Sequence, residues 1–191
     1  MDFNELCLGC RTYRRFEQKE IPEEILTELL ENARVANSAM NGQVLRYVLV
    51  KSQETVKKLQ PYFHFAAALP KELGQPKEGE QPAAFIILCT EGPETPWTGI
   101  DIGIAVRTMN LNAYIHGVGS CIIGNVEFEK VKEILSIPET WIPRLALALG
   151  YPSHKSTIVE LPEDGSVKYY LDEERQYYVP KRKRKDISII R

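Results

Sequence analysis

A chain of 191 residues is long enough for one compact domain with a sizeable core, and residues 1–191 read as such a unit. Its 24 basic and 26 acidic residues leave a net charge of −2, which gives no global pull toward nucleic acid or an anionic membrane. The N-terminus MDFNELCLGCR has no apolar run and so reads as no secretory signal; four cysteines without one suggest free thiols in a reducing, cytoplasmic setting.

Phe3, Leu6, Cys7 and Cys10 recur at helical spacing, so residues 2–10 read as a short amphipathic helix. Cys7 and Cys10 form a CxxC, but no strand precedes it and no second pair follows it, so structural thiols are the simpler reading. Next comes Arg11-Thr12-Tyr13-Arg14-Arg15-Phe16. Three arginines and a hydroxyl within five residues fit either a solvated basic turn or an anion site, because guanidinium forks suit phosphate oxygens. Pro22, Glu23 and Glu24 open a helix whose apolar positions run from Ile25 to Ala33 and which ends near Ala36. The loop Asn37-Ser38-Ala39-Met40-Asn41-Gly42-Gln43 is a helix stop and also a source of neutral hydrogen-bond partners.

Leu45 to Val50 is a strand, Gln53 to Leu59 a short helix, and Ala83 to Cys89 a buried strand. Between the last two, PKELGQPKEGEQP reads as an exposed, mobile loop. The segment from Asp101 to about Ile115 is apolar around nearly its whole circumference and predicts a core helix. It is interrupted by Asn110, Asn112 and His116, and it is too short to span a membrane. Gly117-Val118-Gly119 stops it, and Ser120 to Asn125 follow as a short strand whose backbone a flat ligand could approach. Phe128 to Leu135 is an amphipathic helix and Arg144 to Gly150 a strand. The remainder reads as irregular and ends in KRKRKDISIIR, where three isoleucines after a basic run imply a tail docked on something.

This order predicts an α+β or α/β sandwich, with a sheet of about four strands buried by helices. The three histidines show no metal-ligand spacing, no serine elbow occurs, and GVGSCIIG does not open a helix after a strand. What remains is two basic clusters, an amide-rich loop and a glycine-rich strand entry. That inventory suits a protein holding a phosphorylated cofactor that performs the chemistry itself.

At this point the residues resemble the nitroreductase family of flavin enzymes over nearly the whole chain. Four landmarks stand in family order. Arg11-Thr12-Tyr13-Arg14-Arg15-Phe16 is similar to an Arg-Arg-Ser-x-Arg-x-Phe phosphate motif, and Ser38 to Gln43 to a Pro-Ser-x-x-Asn-x-Gln loop. Gly117 to Gly124 is similar to Gly-Leu-Gly-Ser-x-x-Ile-Gly, and Leu149-Gly150-Tyr151-Pro152 closes the series. The resemblance implies an α+β three-layer sandwich, with a central, mostly antiparallel sheet flanked by helices and a swapped C-terminal arm. It implies a homodimer with FMN at the subunit interface and NAD(P)H as hydride donor. The acceptor would be a small molecule such as a nitroaromatic or quinone, with no nucleic acid and no membrane as partner. Arg11, Thr12 and Arg14, with Tyr13 among them, would hold the FMN phosphate, and Arg184 would add a contact from the tail. Ser38, Ala39 and Asn41 would meet the flavin from the other subunit, and Ile123, Gly124 and Asn125 would line its ring with backbone groups. The sequence departs from the pattern at Cys10, where the family's first arginine often sits, and at Asn37, which replaces the loop proline. The 61–82 segment is short for the helical pair that covers the substrate in larger members. A flavin-binding module or carrier that does not turn over nicotinamide is the alternative reading.

Overall fold

The computed structural model describes Met1–Arg191. Helix α1 (Phe3–Gly9) is opened by a capping box, in which Asp2 accepts from the Glu5 amide and the Glu5 carboxylate accepts from the Asp2 amide. Helix α2 (Glu23–Val35) follows, with Pro22 as its N-cap rather than its first residue. Then come strand β1 (Leu45–Val50), helix α3 (Gln53–Leu59), a short α4 (Lys71–Gly74) and strand β2 (Ala84–Glu91). The long α5 (Thr98–Ile115) leads through a turn into β3 (Gly119–Ile123), α6 (Phe128–Leu135) and β4 (Trp141–Gly150). Three short strands complete the chain: β5 (Ser156–Glu160), β6 (Tyr170–Leu171) and β7 (Tyr177–Lys181).

The first four strands form one antiparallel sheet in the order β1-β2-β4-β3, so the longest strands lie at its centre. Strand pleating sends alternate side chains to opposite faces. Ile86, Leu88, Leu147 and Leu149 therefore join α2 and α5 in one core, while Phe85, Ile87, Cys89, Ala146 and Ala148 join α3, α6 and the Phe63–Phe65 segment in another. Both faces are covered, which is why AFIILC reads as a continuous apolar run. Each fully buried Ile or Leu contributes roughly 1.5–3 kcal/mol of transfer free energy. The result is the expected α+β sandwich of helices, sheet and helices. No helix is long and apolar enough to cross a membrane.

Three expectations are corrected. Helix α5 is not enclosed on all sides: Ala105, Val106, Met109 and Ala113 are buried, but Ile100, Ile104 and Ile115 are exposed. One side of its apolar circumference packs on the sheet, and the side with Ile100 and Ile104 is exposed. The 70–82 segment is tied down rather than loose. Gly74 is buried against Ala66, Gln75 donates to the Phe63 carbonyl, and the Glu80 carbonyl accepts from the Phe16 amide. Finally, the stretch after Gly150 is not irregular but a second sheet, β5-β7-β6, with β5 and β7 parallel. Its strands are too short and too polar to show a period. Beyond β7 the tail isoleucines 187, 189 and 190 are exposed, so no surface of the same chain receives them.

Candidate functional site

The arginine turn is fixed in place by two of the other sequence landmarks. Thr12 forms a parallel bridge with Ser120, and the Tyr13 amide donates to the Ser120 carbonyl at 2.9 Å. Phe16 bridges Pro152, the Glu17 amide donates to Tyr151, and the Ser153 amide donates to Arg15. The glycines make this approach possible. A Cβ on Gly119 would lie 2.6 Å from the Pro152 ring and 2.8 Å from Tyr13, and one on Gly150 would lie 2.7 Å from Phe16. Three segments far apart in sequence thus meet because two positions carry no side chain.

A cavity of about 440 Å³ opens between this turn, α5 and β3. Arg11 and Thr12 line it from the turn, Ser120 and Ile122 from β3, and Gly103, Val106, Arg107 and Asn110 from α5. Its wall holds two arginines and no carboxylate, and neither arginine has a salt-bridge partner. Arg107 donates through Nη1 to the Cys10 sulfur at 3.4 Å, and the Cys10 thiol in turn donates to the Asn110 carbonyl. Burial pushes the Cys10 thiol up, against the pull of Arg107 and Arg11, so it is a neutral group beside two cations. Ser120 Oγ donates to the Asn110 side-chain oxygen at 3.1 Å, which ties β3 to α5 at the cavity floor. Unpaired guanidinium groups at one end and apolar Ile102, Val106, Ile122 and Leu145 along the wall suit a flat ring carrying an anionic group. A second cavity, about 450 Å³, lies between α2, β1 and the 37–43 loop. Its cations are already neutralised, Arg34 by Glu31 and Arg46 by Glu91, so it is the poorer anion site.

The expected phosphate ligands separate. Arg11 and Thr12 reach the cavity, but Arg14 does not line it. The Arg14 guanidinium sits 4.7 Å from the centre of the Tyr169 ring and 4.9 Å from that of Tyr177, and its amide donates to His154 Nε2 at 2.9 Å. Two tyrosine faces thus hold the charge that the sequence pattern assigns to phosphate. Its Nε is buried without a partner. Tyr13 is buried against Tyr114 and His154, and its hydroxyl donates to the Gly9 carbonyl. His154 accepts at Nε2 from Arg14, so its Nδ1 carries the proton and donates to the Lys155 carbonyl. Burial, reinforced by Arg15, Arg14 and Arg175, pushes this imidazole down to about 4. Arg15 is itself buried, donates to the Arg175 carbonyl and has its affinity for protons lowered, chiefly by burial. Arg175 forks onto Glu80; burial alone would raise that carboxyl, but hydrogen bonds from Arg175 and the Lys77 amide outweigh it and the net shift is down.

The amide loop lies apart from this centre, across α5. Ser38 lines the second cavity, and the Ala39 amide donates to the buried Asp101 carboxylate at 2.9 Å. Asn41 is exposed with φ 54°, flanked by Met40 at φ 53° and near Gln43 at φ 47°, so the loop holds a left-handed run of non-glycine residues. On β3 the pleat directs Ile123 into the opposite core and Ile122 toward the cavity. Ile123 can therefore offer only backbone there. Gly124 and Asn125 are exposed just beyond the strand, and the Asn125 carbonyl accepts from the His64 amide. Arg184 lies on the exposed tail and is not brought to the cavity within one chain. What does converge on the turn is the segment before it, through Tyr169, Arg175 and Tyr177.

Sequence reasoning missed Arg107, Asn110 and Ile122. A signal existed: Asp101 and Arg107 are the only charged residues between positions 101 and 120. Each marks the place where α5 serves one of the two cavities.

The family model "Nitroreductase family" matches residues 9–151. A protein of Methanothermobacter thermautotrophicus, named for NADH dehydrogenase/NAD(P)H nitroreductase activity, is 28% identical over 160 residues, covering 80% of this chain and 78% of its own. An FMN reductase (NADPH) of Bacillus subtilis is 27% identical over 165 residues, covering 80% of this chain and 66% of its own. Among solved structures, a nitroreductase family protein from Streptococcus pneumoniae superposes with a TM-score of 0.69 at 20% identity, covering 87% of this chain and 99% of that one.

Proposed function

The chain belongs to the nitroreductase family, and on that premise we propose that it is an FMN-dependent oxidoreductase that takes hydride from NAD(P)H and delivers it to a nitroaromatic, quinone or related small acceptor. The observation that carries this reading is the cavity where two unpaired arginines and a threonine hydroxyl share a wall with apolar Ile102, Val106, Ile122 and Leu145. FMN, when bound, supplies the hydride relay that no side chain here can provide. The residues of this chain bind and shape. Arg11 and Thr12 offer charge-assisted and hydroxyl donors to the phosphate. Ile122 and Val106 give apolar surface to the ring, and Gly103 leaves room beside them. Gly124 and Asn125 offer exposed backbone at the end of β3. The Ser120–Asn110 hydrogen bond keeps strand and helix in register around the cofactor.

The same reading includes a homodimer with the cofactor between subunits. Three features support it. The second apolar face of α5, with Ile100 and Ile104, has no cover in one chain. Phe3 and Leu8 of α1 and the tail isoleucines are exposed as well. The Ser38–Asn41 loop, separated from the arginine cavity within one protomer, could reach a partner's cavity across such an interface, and so could Arg184. Four free cysteines fit a reducing, cytoplasmic compartment.

The test is optical. Purified protein should be yellow, or become so with added FMN, and its flavin absorbance should bleach under anaerobic NADH or NADPH. A protein that takes up no FMN overturns the assignment; one that binds FMN yet stays oxidised is a flavin carrier instead.

A further inference from the structure

The turn that should hold the phosphate is one cation short. Position 10, where the resemblance places an arginine, is a buried cysteine whose thiol is neutral. Two groups of α5 reach that sulfur: the Asn110 carbonyl, which accepts from the thiol at 3.3 Å, and the guanidinium of Arg107, 3.4 Å away and the one cation among its hydrogen-bond partners. Arg107 has no carboxylate within salt-bridge distance, and its one side-chain hydrogen bond is to sulfur, a weak acceptor. A guanidinium carries five donors, so most of its capacity is unused at the cavity wall. Arg11 and Thr12 line the same cavity beside Cys10. The other charged residue of α5, Asp101, faces away and is engaged with the Ala39 amide.

We propose that Arg107 replaces the arginine missing at position 10, so that one cofactor phosphate is held by Arg11 and Thr12 from the turn and by Arg107 from the helix. The proposal rests on the reading of this cavity as an FMN site. A small sulfur at position 10 makes room for the longer reach: the helix side chain occupies the volume that an arginine on the turn would take. Arg107 and Asn110 stand three residues apart on one face of α5, so the residue that bonds Ser120 and the residue that meets the phosphate are placed by the same helical turn.

The experiment compares FMN with riboflavin, which has the same ring and ribityl chain but no phosphate. Both are titrated into flavin-stripped protein and followed by flavin fluorescence. Arg107→Gln should weaken FMN about 10–100-fold, the loss of one charge-assisted contact set, and leave riboflavin unchanged. Moving the charge back to the turn, with Cys10→Arg combined with Arg107→Gln, should restore the advantage of FMN over riboflavin. Equal weakening of both flavins, unchanged FMN affinity, or a double variant as weak as the single one would overturn the proposal. So would intact FMN binding with a lost preference for NADPH over NADH, which would assign the charge to the reductant's extra phosphate. If the unaltered protein binds neither flavin, the cofactor reading itself fails, and that outcome is distinct from all the others.

Discussion

His154 shows how one neutral side chain can hold a cluster of positive charge. It accepts from the Arg14 amide, contacts Tyr13 and Tyr177, and sits near Arg14, Arg15 and Arg175. A proton on its ring would remove the acceptor and add a like charge in a buried place. The imidazole is held down at about 4, against 6.5 when solvated, so the unfolded chain binds more protons between those values. The stability it contributes is full above about pH 6.5 and is lost as pH falls toward 4, by at most about 3 kcal/mol. We expect the urea midpoint to fall between pH 7.5 and 5, and to fall less in His154→Gln, which keeps an acceptor but cannot titrate. Equal slopes for both proteins would remove His154 as the cause.

At the scale of the element, α5 divides its surface among three tasks. Ala105, Met109 and Ala113 pack on the sheet, Arg107 and Asn110 face the arginine cavity, and Ile100 and Ile104 face outward. Gly99 and Gly103 line the cavity with nothing within 4 Å of where a Cβ would stand, so that side of the helix is open as well. We expect Ile104→Glu to shift the protein from dimer to monomer in sedimentation velocity, because a carboxylate buried without a partner costs several kcal/mol. Circular dichroism should be unchanged, since Ile104 contributes little to the protomer core. A dimer that survives this substitution would place the interface elsewhere.

For the whole molecule, the C-terminal region has two fates. Strand β7 stays at home, paired with β5 and carrying Tyr177 against Arg14 and His154. The residues after it, with Arg184 and three isoleucines, are exposed. If that arm crosses to a partner, removing residues 182–191 should weaken both dimerisation and FMN retention while leaving the thermal transition of the protomer sheet intact. A truncated protein with undiminished dimer affinity and flavin binding would confine the arm to its own subunit.

Helix α2, strand β1 and helix α6 could be read from periodicity and end signals because local apolar spacing and capping determine them. The arginine turn, the amide loop and the glycine-rich strand entry were legible for a similar reason: their residue types are unusual and lie close together in the chain. The second sheet was not, because two to five residues per strand form no local pattern: β5 and β6 are ordered by pairing with β7, and β7 and its approach by contacts of Tyr169, Arg175 and Tyr177 with the arginine turn. Nor could the sequence say that Arg14 belongs to two tyrosines about 160 residues away, or that Arg107 belongs beside Cys10. The sequence by itself determined which segments are helix, strand or anion-seeking turn, since those depend on near neighbours. Only the tertiary structure decided which arginines remain unpaired at the cavity, since that depends on what folding brings within a few ångströms of each charge.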